Sequence, residues 1–72
     1  MTLFAVYYGL FQTAAEDCEI VTVFADRQSA VDWVDETVAD DGTPVYGLYV
    51  VEFEAGEHPE TGEVVYEIEG DA

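Results

Sequence analysis

ADRQSAVDWVDETVADDG, residues 25–42, decides the fold, because here the apolar spacing changes from a period of two to about 3.6. Ala30, Val31, Val34 and Val38 recur at helical intervals, and Trp33 and Thr37 widen the stripe to one side. Asp26 is placed to cap the first free amides, and Gly42 with Pro44 ends the element. On either side of this helix lie two stretches that read as strands. Residues 2–11 are β-branched and aromatic, and apolar on both alternating sets, as suits a central strand covered on both faces. After a polar connection over residues 12–19, EIVTVFA (19–25) is short enough for an edge strand. VYGLYVVEFE (45–54) and EVVYEIE (63–69) are the third and fourth strands, joined by a Gly- and Pro-containing loop over 55–62.

The order β-β-α-β-β predicts one α+β domain spanning residues 1–72. Pairing the two most hydrophobic strands sets the third antiparallel to the first, giving a four-stranded antiparallel sheet ordered 2-1-3-4 with the helix packed on one face. Alternation assigns Val45, Tyr49, Val51, Phe53, Val64, Tyr66, Ile68, Ile20 and Phe24 to the helix side. The opposite set then holds Tyr46, Leu48, Val50, Glu52, Glu54, Val65, Glu67 and Glu69, with Glu19, Val21 and Val23. An outer face carrying Tyr46, Leu48, Val50 and Val65 is more apolar than a small monomer usually leaves in water. Two readings follow: a homodimer or other interaction through that face or an edge strand, or a face covered by the long first strand and the 55–62 loop.

A 72-residue chain buries only about 60% of the surface its unfolded form exposes, so stability is expected to be marginal. Half of the residues are hydrophobic and 14% aromatic, too apolar for a disordered tail even at a formal charge of −16. Arg27 is the only basic side chain apart from His58, so the 17 carboxylates must face water or a positive partner. Such a field repels nucleic acids and anionic membranes and attracts basic proteins. Cys18 is alone, which precludes an internal disulfide and fits a reducing cytosol. The apolar start LFAVYYGLF is too short to span a membrane and lacks the basic flank of a signal peptide. A cytoplasmic location is therefore expected.

Catalytic and cofactor chemistry find little support. His58 is the only histidine and sits beside Pro59 in a loop, with no nucleophile and orienting group arranged around it. The run DETVADDG lacks the spacing of a calcium loop, zinc-type Cys or His pairs are absent, and the glycines do not form a phosphate-cradling motif. No enzyme activity, cofactor or defined metal site is expected.

What remains is the placement of charge. Asp32, Asp35, Glu36 and Asp40 fall opposite the apolar stripe, and Asp32/Glu36 and Glu36/Asp40 are like-charged i, i+4 pairs, each costing about 0.2–0.5 kcal/mol. Glu52 with Glu54, and Glu67 with Glu69, are spaced two apart along strands, so their charges lie roughly 6–7 Å apart. Adjacent rows of that kind approach the linear charge density of a duplex, about one charge per 1.7 Å of axis. Together with Glu57 and Glu63, these ten carboxylates form the expected contact surface for a Lys/Arg-lined groove.

A short acidic chain with a β-sheet and one acidic helix resembles the DNA-mimic inhibitors of phages and mobile elements, the anti-CRISPR and anti-restriction proteins. The likeness spans the whole chain in size and charge and is not carried by a motif. It implies a non-enzymatic inhibitor acting in the host cytosol on a basic nucleic-acid-binding protein such as a Cas surveillance complex or Cas nuclease. FADRQSAVDWVDE separately resembles the second strand and helix of small phage and bacterial ββαβ proteins, which bears on fold alone. The alternative is a salt-adapted accessory or interaction module: eleven valines, two isoleucines, no lysine and phrases such as EAGEHPETGE match the style of halophilic proteins. Charge distribution favours mimicry, since residues 1–15 carry no charged side chain and residues 52–71 carry eight carboxylates.

Overall fold

The computed structural model describes residues 1–9, 18–44 and 47–70. Strands β1 (Thr2–Gly9) and β2 (Cys18–Phe24) precede helix α1 (Arg27–Asp41), and β3 (Leu48–Glu54) and β4 (Glu63–Ile68) follow it. A single 3₁₀ turn, Pro59–Thr61, lies between the last two strands. The sheet runs β2-β1-β3-β4 with every neighbour antiparallel, as the hairpin–helix–hairpin order predicts.

Asp26 caps the helix: the Ser29 amide donates to its Oδ1 at 2.9 Å, and the Ser29 hydroxyl to its Oδ2 at 2.7 Å. The helix closes at Gly42, whose φ of 81° suits a residue without Cβ and whose amide donates to the Val38 carbonyl at 2.9 Å. β3 begins at Leu48 rather than at residue 45. Gly47, at φ 83°, leaves the strand region and donates its amide to the Pro44 carbonyl at 3.0 Å. A Cβ there would strike the Ile68 carbonyl oxygen, so the close approach of the two chain segments also requires glycine. Val45 and Tyr46 lie outside the described residues, as does most of the predicted 12–19 connection.

The facing of β3 is the reverse of the one alternation assigned. Leu48 and Val50 are buried beneath the helix with Phe4, Val6, Ala30 and Val34, while Tyr49 and Val51 cluster with Ala5 and Tyr7 on the other side of the sheet. Leu48 and Val50 therefore cannot form an exposed interaction face. Val65 also packs, partly buried, against the helix-side cluster. The reason is a bulge in β4: Val51 pairs with Val64 but Val50 pairs with Tyr66, leaving Val65 as the extra residue. Tyr66 and Ile68 keep their predicted helix side, whereas Val64 and Phe53 join the opposite cluster. A second irregularity in β2, at Val21, sets Phe24 against Phe4 on the helix side but Ile20 against Tyr7 on the far side, so Ile20 too is reassigned.

Each fully buried valine (Val6, Val34, Val50, Val51) contributes about 1.5–3 kcal/mol through removal of apolar surface from water. The loop after β3 leans back on that strand: a Cβ on Gly62 would meet the Glu52 carbonyl oxygen and lie 2.8 Å from Val51 Cγ1. The 55–62 loop thus approaches the face away from the helix at Val51. No helix among the described residues is long and apolar enough to cross a membrane.

Candidate polyanionic surface

The sheet geometry distributes the predicted carboxylates between two sides. Asp32, Asp35, Glu36 and Asp40 are exposed on α1, as the helical spacing predicts. Glu52 stands opposite Phe4, and Glu54 opposite Thr2, so both project from the helix-bearing side of the sheet. Glu63 pairs directly with Glu52 and shares that side. Seven of the ten predicted contact residues are thereby brought to one side of the molecule. Glu67 pairs with Tyr49 and points the other way, because the extra residue at Val65 reverses the phase of β4 beyond it. The predicted single face holding both the Glu52/Glu54 and Glu67/Glu69 rows is therefore not formed. Glu69 is exposed beyond the end of β4, and Glu57 is exposed in the loop after β3.

Local contacts hold some of these groups in place. The Tyr66 hydroxyl donates to Asp35 Oδ1 at 2.6 Å, tying β4 to the flank of the helix. That carboxylate, reinforced by burial of the phenol and by its own charge, raises the Tyr66 pKa above the ordinary phenol value. Gln28 Nε2 donates to Asp32 at 2.8 Å. Glu54 accepts from the Thr2 hydroxyl at 3.2 Å and pairs with the N-terminal ammonium of Met1 at 3.5 Å. Arg27, which might have neutralised a carboxylate, instead donates from Nη2 to the Val65 carbonyl at 3.0 Å, satisfying the backbone at the bulge. The helix-side carboxylates consequently have no lysine or arginine partner among the described residues.

Glu52, Glu54, Glu57 and Glu63 line an open cleft of about 350 Å³ together with Thr2, Phe53 and Gly62. Its four carboxylates concentrate negative potential, but no group of three or more His, Cys, Asp or Glu side chains among the described residues is arranged to hold a metal ion. His58 is exposed, and its carbonyl accepts from the Thr61 amide and hydroxyl in the 3₁₀ turn. The arrangement presents a broad anionic surface on a scaffold whose buried side chains among the described residues are apolar.

The Tyr66–Asp35 bond and the Arg27–Val65 contact were not anticipated from sequence. Tyr66 lies on the predicted helix-facing set, so a hydroxyl reaching the helix flank was inferable; the Arg27 contact depends on a bulge that no residue type announces. No protein-family model, curated protein or solved structure matches the chain.

Proposed function

We propose that the protein is a non-enzymatic polyanion mimic that occupies the Lys/Arg-lined groove of a nucleic-acid-binding protein, with a Cas surveillance complex or nuclease as the partner class. The observation supporting this reading is the gathering of Asp32, Asp35, Glu36, Asp40, Glu52, Glu54 and Glu63 on the helix-bearing side. Helical i, i+4 carboxylates stand about 6 Å apart along the axis, and paired strand positions bring Glu52 and Glu63 to about 5 Å. These intervals are comparable to those between phosphates. A rigid two-layer scaffold keeps them from collapsing onto a basic neighbour within the chain. Opposite fields steer the encounter, so association is fast and weakens steeply with salt.

The experiment is displacement. The chain is used to retain proteins from a nuclease-treated lysate, and each retained DNA-binding protein is then tested for loss of labelled duplex as the chain is added. A variant carrying Asp32→Asn, Glu36→Gln, Asp40→Asn, Glu52→Gln and Glu63→Gln should lose displacement. Glu67→Gln and Glu69→Gln combined should retain most of it. Equal loss in both sets would make net charge, not the helix-side array, responsible; no displacement by the wild type would end the reading.

A second reading, salt adaptation, is favoured by Glu67 and Glu69, which extend acidity beyond that side. Under it the domain unfolds at ordinary ionic strength and refolds in molar salt. Far-UV circular dichroism across that range separates the two, because a mimic must be folded in the dilute buffer where it binds best.

A further inference from the structure

The two edges of the sheet are treated differently. Edge strand β4 carries Glu63 and Glu67, a bulge at Val65, and a guanidinium bonded to the Val65 carbonyl at 3.0 Å. These are devices that discourage a foreign strand from adding. Edge strand β2 has an irregularity at Val21 but no charge between residues 20 and 25, no proline, and three exposed apolar side chains: Ile20 and Val23 at 45% and Val21 at 46%. An apolar edge strand is a template for pairing.

We propose that the β2 edge pairs antiparallel with the β2 edge of a second copy, joining two sheets into one of eight strands. Charge selects this occupant. A basic partner gains nothing from a strip without carboxylates, whereas two copies of a chain at −16 can approach only where charge is lacking. Register agrees: a two-fold axis at Val23 sets Val23 against its own copy and Thr22 against Phe24, and Thr22 and Phe24 lie on the same face, opposite Val6 and Phe4. The contact is short, so the dimer is weak and visible only at high concentration. Its salt dependence is opposite in sign to that of a polyanion mimic binding a cationic groove: screening the mutual repulsion strengthens it. The proposal is independent of the polyanion reading, and each can fail alone.

Sedimentation equilibrium tests it, between about 10 µM and about 1 mM protein in about 0.15 M and about 2 M KCl. The mass should rise from 7.9 kDa towards twice that value with concentration, and further in the higher salt. Val23→Glu and Val23→Lys each place like charges directly across the axis, and each should weaken the dimer tenfold or more. A wild type that stays monomeric in molar salt overturns the proposal, as does a Val23→Lys variant that dimerises better, which would make net charge the determinant. Should either variant not fold, isotope-filtered contacts in mixed-labelled wild type decide: Val23-to-Val23 signals between copies support the pairing, and their absence in a dimeric sample overturns it.

Discussion

Glu52 and Glu63 stand directly opposite one another across β3 and β4 on the helix-bearing side, and reversing one of the two charges tests the register on which the surface depends. Directly opposed residues have Cβ atoms about 5 Å apart. Two like charges about 6 Å apart in water repel by about 0.7 kcal/mol, so Glu63→Lys exchanges that repulsion for an equal attraction, a swing of about 1.4 kcal/mol. At physiological ionic strength, with a Debye length of about 8 Å, roughly half of it survives. For a domain of this size about 0.7 kcal/mol corresponds to roughly 3–5 °C in Tm. Glu67→Lys is the control: it changes net charge equally but faces Tyr49 on the other side of the sheet. Thermal melts followed by far-UV circular dichroism should place Glu63→Lys about 3–5 °C above Glu67→Lys at physiological ionic strength. The gap should close in molar salt, where the Debye length falls to about 3 Å. Glu54 and Glu57, around the same cleft, can only enlarge it. Equal melting of the two variants, or a gap that persists in molar salt, would refute the Glu52–Glu63 pairing and with it the bulge at Val65.

Three further outcomes follow from the same geometry. Glu36→Lys replaces two like-charged i, i+4 pairs with opposite-charged ones, so the helix gains about 0.8–2 kcal/mol, read as a higher melting temperature. The same variant should bind a cationic groove less well in the displacement assay, separating stability from function. Val34→Ala removes two methyl equivalents from a fully buried site under the sheet, costing about 2–3 kcal/mol once the cavity is included, measured by urea unfolding. The Ser29 amide, then the Ser29 hydroxyl, hold the Asp26 carboxyl below its ordinary value. A depressed carboxylate stabilises the fold above its unfolded pKa, and that contribution is lost as pH falls through the folded pKa. The stability advantage of wild type over Asp26→Asn should therefore be present near neutrality and vanish in acid; an advantage that grows on acidification would contradict the cap.

Topology was legible because three signals agreed: the period change at residues 25–42, the separation of the strands into two hairpins, and the hydrophobicity of the two strands that became central. Facing was not legible, and β3 shows why. Leu48 and Val50 on one set and Tyr49 and Val51 on the other are equally apolar, and all four are buried. Alternation distinguishes faces only when one of them meets water. Alternation carried through β4 puts Glu67 and Glu69 in one set with Glu52 and Glu54. The extra residue at Val65 broke that inference, since a bulge shifts the phase of all that follows it and leaves no signature in a run of Val-Val-Tyr. The helix surface was easier: Asp32, Asp35, Glu36 and Asp40 all lie exposed as spacing required, because a helix with one apolar stripe has only one way to face a sheet.

Under the proposed function, salt and a basic partner act on this molecule as alternatives to each other. The one arginine is committed to the Val65 carbonyl and the Met1 ammonium to Glu54, so repulsion among the remaining helix-side carboxylates is relieved chiefly from outside. Mobile cations do so by screening, at every exposed carboxylate alike. A groove lined with lysine and arginine does so at fixed positions, on the side where Asp32, Glu36, Glu52 and Glu63 gather. Each removes a destabilising term from the folded state, and each diminishes what the other can add. Partner binding should therefore raise the melting temperature most in dilute buffer, where the free domain is least stable and the field steering association is strongest. The increment should shrink steadily with added salt even where the partner remains saturating, because by then counter-ions have already supplied the relief.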